Sequence, residues 1–169
     1  VITVTQLNSL DSEQANQWFV QVCTAQGWCN KMVNSMPYAD KASIIKTATD
    51  HWAEMQETDF LEAFQGHPMI GDINTLREKY ANTKALASNE QSGTANASEQ
   101  TLNKLHEANH EYLNKNGFIF IICASGLSAN TMLVALTQRL ANTREKEIEI
   151  AAQEQLKISL LRIDKAVMM

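Results

Sequence analysis

Glycine and proline are scarce in this sequence: six and two residues among 169. So few turn-formers argue against an architecture of many short strands and tight turns, and favour long regular elements with short connections. The three cysteines, Cys23, Cys29 and Cys123, form no CxxC pair and are odd in number. A disulfide framework is thereby disfavoured, and reduced thiols in a cytosolic setting are expected. Basic residues are outnumbered, 14 Lys and Arg against 19 Asp and Glu, for a formal charge of −5. That balance argues against nucleic acid or an anionic membrane as partner, because either requires a basic patch. A small anion held by one local cation stays compatible with it. The longest apolar run, Phe118 to Ala124, is far too short to span a bilayer. Val1 to Gln17 is polar and lacks the basic start and apolar stretch of a cleavable leader, while the missing initial Met suggests a trimmed start. The expectation is a soluble protein.

What remains is an ordinary globular composition, 44% hydrophobic and 20% charged, of a length suited to one domain over 1–169. The apolar residues recur at helical spacing. Ala15, Trp18, Phe19 and Val22 define a helix from Asp11 to Gln26, with Asp11 or Ser12 as cap and Gly27 closing it in a left-handed conformation. A short piece over Asn30 to Ser35 stops before Pro37. Asp40 caps a helix through Trp52, with Ile44, Ile45, Ala48 and Trp52 on one face. Thr58 opens a brief helix ending at Gly66, and Thr75 to Tyr80 form another candidate. The polar stretch Asn82 to Ala97 reads as a loop with a turn at Ser88 to Gln91. Ser98 caps a long helix ending at Gly117, and Ser128 and Thr143 cap the last two, through Leu140 and about Lys165. Phe118 to Ala124 could be a buried strand or a buried helix segment, but no second run of its kind is present for it to pair with. These signals define an all-α class, a single compact domain of roughly seven to nine helices.

Three groups of residues carry candidate chemistry. His106-Glu107-Ala108-Asn109-His110 satisfies HExxH, whose two histidines lie on one side of a helix as zinc requires. Against that, His106 borders the Leu102/Leu105/Asn109 stripe, a third ligand is not evident, and the pattern has only three fixed positions. A partly solvated helix face is the favoured reading, with no metal. His67 lies between Gly66 and Pro68, and proline disfavours helical geometry in the residue before it. His67 is therefore either an ordinary helix-ending polar residue or an imidazole fixed at a cavity edge, able to exchange a proton near neutral pH. Glu90 and Gln91 in the polar loop, and Arg162 on a partly apolar face of the last helix, complete the candidates. A guanidinium so placed must find an anion or reach solvent. Composition does not join these residues to His67.

The order of motifs does. Gly66-His67-Pro68-Met69-Ile70-Gly71-Asp72, Glu90-Gln91-Ser92-Gly93, Leu105 to Tyr112, Gly117-Phe118-Ile119-Phe120 and Glu154 to Ile163 succeed one another as in one family. The chain resembles the 2-oxo-4-hydroxy-4-carboxy-5-ureidoimidazoline (OHCU) decarboxylases, the last enzymes from urate to (S)-allantoin. The resemblance implies an all-α fold, a homodimer, no metal or organic cofactor, and a small-molecule substrate. It implies that His67 is the catalytic histidine, with Glu90 beside it in catalysis. Pro68, Ser88, Gln91, Phe120, Ile121, Ile122, Ala124 and Arg162 would then line the substrate, partly through main-chain groups. Two positions depart from the family pattern: Ile119 replaces a proline, and Ala87 a serine, with Ser88 following it. A metalloprotease built on His106 and His110 and a non-enzymatic helical adaptor are the competing classes. Neither accounts for five motifs in order.

Overall fold

The computed structural model describes residues 1–68, 74 and 98–169. Among them the chain forms β1 (Ile2–Thr3), α1 (Val4–Asn8), α2 (Ser12–Val22), α3 (Gln26–Asn34), α4 (Lys41–Ala53), α5 (Glu57–Gln65), α6 (Glu99–Asn116), α7 (Ala129–Leu140), α8 (Arg144–Ala166) and β2 (Val167–Met168). The all-α expectation holds. β1 and β2 make a parallel pair of two residues each, with Ile2 opposite Val167. The expected helix at Thr75 to Tyr80 and the loop after it lie outside the described residues.

The expected caps form. Asp11, Asp40, Ser98 and Ser128 each accept a backbone N–H from the first turn of α2, α4, α6 and α7. Thr143 does the same for α8, taking the Lys146 N–H. Each satisfies a donor that the helix itself cannot, worth about 1 kcal/mol. Gly117 ends α6 in the left-handed region at φ 79°.

The boundary between the first two expected helices falls earlier, and the short piece expected at Asn30 to Ser35 is the end of α3. The segment read as Asp11 to Gln26 ends at Val22, Cys23 turns extended, and α3 begins at Gln26. The carbonyls that a continuing helix would have used find other donors: Val22 O accepts from Arg162 and Cys23 O from the Cys29 thiol. Gly27 accordingly is no left-handed cap but lies inside α3. A Cβ there would stand 3.1 Å from the Asp59 carboxylate, so the glycine serves the close approach of α5.

The contacts divide the chain into two units. The first comprises Val1–His67, Ile121–Cys123 and Ile148–Met169. Its core holds Leu7, Phe19, Trp28, Met32, Ile44 and Ile163, all buried, with Phe19 edge-on to Trp28 at 5.9 Å. Burying a side chain such as Phe19 contributes about 1.5–3 kcal/mol. The indole N–H of Trp52 donates to Ala152 O at 2.9 Å, tying α4 to α8 across 100 residues of sequence. The second unit comprises Pro68–Phe120 and Ala124–Glu147. There α6 packs on α7, and a buried cluster gathers on Glu147. Tyr112 and Arg139 donate to its Oε1 at 2.6 and 2.8 Å, and Asn142 to its Oε2 at 2.8 Å. The Arg139 guanidinium also lies over the Phe120 ring, 4.5 Å from its centroid.

Candidate active site

His67 follows α5 directly, and its backbone N–H still donates to Phe64 O at 3.2 Å. Pro68 then forbids another helical turn. The corner is held by Thr24, whose hydroxyl donates to Glu62 O and Ala63 O at 3.1 and 3.4 Å. Both carbonyls belong to the last turn of α5, where Ala63 O also accepts the Gly66 N–H. Glu62 in turn accepts the Gln26 N–H through its carboxylate, joining the same corner to the start of α3. A Cβ on Gly66 would stand 2.2 Å from Thr24 Oγ1, so only glycine fits where the two segments cross.

The imidazole is half-buried, and its Nε2 lies 2.6 Å from Oε1 of Gln155 on α8. Gln155 is 1% exposed and its amide nitrogen donates to Ser159 Oγ at 3.1 Å. Burial pushes the pKa of the Cys23 thiol up. Arg162, one turn further along α8, donates from Nη1 to Val22 O at 2.9 Å. Gln155, Ser159 and Arg162 fall at i, i+4 and i+7, so one polar stripe of α8 meets His67 and the Val22–Cys23 turn. Burial, with a smaller contribution from the Arg162 charge, pushes the His67 pKa below its ordinary value despite the opposing bond from Gln155. Near pH 7 the ring is thus neutral, the state a general base requires.

The neighbouring residue of α8 does a different task. Glu154 accepts the backbone N–H of Cys123 on Oε1 at 3.2 Å, and Lys157 donates to its Oε2 at 2.5 Å. The stretch 119–124 has no regular structure, and its main chain is held by a side chain rather than by a strand partner. Backbone groups outside helix and sheet can bind a ligand. Consecutive residues of α8 thus anchor the histidine and the 121–123 segment.

Of the residues anticipated from sequence, the structure joins His67 and Arg162 on one polar stripe and brings Ile121 and Ile122 into the same unit. Phe120 and Ala124 belong to the second unit, and Pro68 is exposed. Ser88, Glu90 and Gln91 lie outside the described residues. Thr24, Cys23, Glu154, Gln155 and Ser159 were not anticipated. For Gln155 and Ser159 a signal existed in the polar spacing with Arg162; for Thr24 there was none. His106 and His110 lie edge to face with ring centroids 4.7 Å apart. Among the described residues no group of three His, Cys, Asp or Glu side chains could hold a metal.

A helical protein with a half-buried histidine held by a buried amide, a guanidinium on the same helix face as that amide and an irregular main-chain segment has the parts of a small-molecule enzyme. The sequence model described as OHCU decarboxylase matches residues 8–164, and the chain belongs to that family. It is 38% identical over 151 residues to the uric acid degradation bifunctional protein TTL of Arabidopsis thaliana, covering 89% of this chain and 46% of that protein. It is 24% identical to the 2-oxo-4-hydroxy-4-carboxy-5-ureidoimidazoline decarboxylase of Halalkalicoccus jeotgali, over 97% of this chain and 91% of that protein. The chain therefore spans about half of the plant relative and nearly all of the archaeal one. A crystal structure of OHCU decarboxylase in the presence of (S)-allantoin superposes with a TM-score of 0.72 at 37% identity, covering 89% of this chain and 96% of that one. An (S)-allantoin synthase structure, 17% identical, shares the fold with a TM-score of 0.74 over 99% of this chain and 54% of its own.

Proposed function

We propose that the chain, acting as one decarboxylase domain over 1–169, converts OHCU to (S)-allantoin and CO2 in urate catabolism. Membership of the family supports this, and the observation that carries it is His67 held by buried Gln155 on the stripe that ends in Arg162. The substrate bears a hydroxyl and a carboxylate on one ring carbon beside a C=N bond. When the C–CO2 bond breaks, its electron pair passes into that imine, so the substrate supplies its own electron sink and no cofactor or metal is required. The protein must orient the carboxylate; the imine nitrogen then takes a proton from solvent, and a proton must reach one face of the former imine carbon as the hydroxyl carbon becomes a carbonyl. His67 acts as the acid–base group at the hydroxyl and as proton donor to the product. Arg162 offers charge-assisted hydrogen bonds to an anionic oxygen, and Glu90 accepts from ring or ureido N–H groups. Pro68, Ser88, Gln91 and the 120–124 segment line the ring.

The reading also takes the enzyme as a homodimer in the cytoplasm. Free cysteines and the absence, among the described residues, of any helix long and apolar enough to cross a membrane accord with that location.

The test is circular dichroism of allantoin formed from freshly generated OHCU. Wild type should give optically active (S)-allantoin rapidly. His67→Asn should lose roughly 10²–10⁴-fold in turnover, the share of positioned proton transfer, with its helical spectrum intact. Slow racemic product from both proteins would refute the assignment.

A further inference from the structure

Resting on that reading, we propose that Gln155 is a positioning residue that fixes His67 in its Nε2-protonated tautomer and so presents Nδ1 to the substrate hydroxyl. The atom facing His67 Nε2 at 2.6 Å is the amide oxygen of Gln155, which can only accept. The imidazole must therefore carry a proton on Nε2. A reversed amide would instead place a donor against Nε2, require the proton on Nδ1 and make Ser159 the donor to the amide oxygen.

Ser159 is the acceptor that the observed orientation of the amide uses. Its Oγ takes the Gln155 N–H at 3.1 Å, one turn along α8. From His67 through Gln155 to Ser159 the observed bonds thus run in one direction. Gln155 and Ser159 are 1% and 3% exposed, so water does not compete for these bonds. With Nε2 committed, neutral His67 has its lone pair on Nδ1 and takes the hydroxyl proton first, as a base. The resulting imidazolium then returns that proton to the former imine carbon after CO2 has left, the hydroxyl carbon having become a carbonyl and the ring nitrogen having taken a proton from solvent. The charged group acting on the ring among the described residues is Arg162, which opposes a resting imidazolium and so favours this order.

The experiment is nitrogen-15 NMR of the histidine rings at neutral pH, with His67 assigned by its disappearance in His67→Asn, beside steady-state decarboxylation. Wild type should show His67 as the Nε2–H tautomer. Gln155→Leu should give averaged ring signals and a kcat at least about tenfold lower with KM little changed, within the roughly 10²–10⁴-fold that positioned proton transfer supplies. Gln155→Glu keeps an acceptor at the ring. It should restore the Nε2–H form and move the acid limb of the kcat/KM profile to higher pH. Should Gln155→Leu fail to fold, Ser159→Ala, which frees the amide, should by itself broaden the tautomer signal. An Nδ1–H tautomer in wild type would overturn the proposal, as would an unchanged spectrum and kcat in the variants. Full activity in His67→Asn would instead sink the functional reading, and the tautomer would still be read from the spectrum.

Discussion

Replacing Gly66 by alanine should damage the enzyme from a position that touches no substrate. The added Cβ would lie 2.2, 2.6 and 2.9 Å from Oγ1, Cγ2 and Cβ of Thr24. Thr24 is β-branched and short, and its hydroxyl is engaged by Glu62 O and Ala63 O, so it cannot swing aside. The end of α5 must move instead, and His67 is the next residue. Overpacking of this kind costs about 1–3 kcal/mol. Thr24→Ala alone should cost about 1 kcal/mol, from its lost hydroxyl bonds. In the double variant two of the three clashing atoms are gone, so the losses should not add. A coupling of about 0.5–2 kcal/mol is expected. Urea unfolding of the four proteins gives the stability cycle, and decarboxylation rates give the parallel cycle for His67. A Gly66→Ala protein with wild-type midpoint and rate would refute the reasoning, as would strictly additive losses.

Two further outcomes follow from the same geometry. Glu147→Ala removes the carboxylate that accepts from the buried Arg139 guanidinium and the Tyr112 hydroxyl, and should lower stability by about 3–5 kcal/mol in thermal or urea unfolding; a loss under about 1 kcal/mol would contradict the cluster. Because burial lowers the His67 pKa, the unfolded chain binds its proton more readily than the folded one. The stability this group contributes is complete above about pH 6.5, the unfolded value, and is lost as pH falls toward the lower folded value. Subtracting the His67→Asn unfolding curve across pH 4–8 isolates that loss, and a difference rising toward acid pH would reverse the assigned sign.

Local features were legible because local physics decides them. Asp11, Asp40, Ser98, Ser128 and Thr143 were readable as caps, since a short polar side chain ahead of an apolar stripe has few better uses. Phe19, Ile44, Leu102 and Leu105 fell on stripes and are buried. Pro68 marked His67 as a residue outside the helix. Gly27 misled because a glycine near a helix end has two uses, and the choice depended on Asp59, far along the chain. The anchors of the site are more distant still. His67 finds Gln155 across 88 residues and Arg162 finds Val22 across 140. The sequence required a partner for that guanidinium, but only the fold identifies it as a carbonyl. Joining His67 to Arg162 took the resemblance of five motifs, because no spacing rule reaches so far.

The parallel pairing of Ile2 with Val167 and Thr3 with Met168 also bears on how the molecule comes together. Bringing ends so separated side by side carries a closure entropy of about 4–5 kcal/mol in a flexible chain, from the logarithmic dependence on loop length. Two residue pairs cannot offset that alone. The pairing must therefore form after the helices between have condensed, when the distance to be closed is already short. It then belongs to the last step of folding and to the first of unfolding. Mutations in β1 or β2 should speed unfolding and leave the folding rate almost untouched.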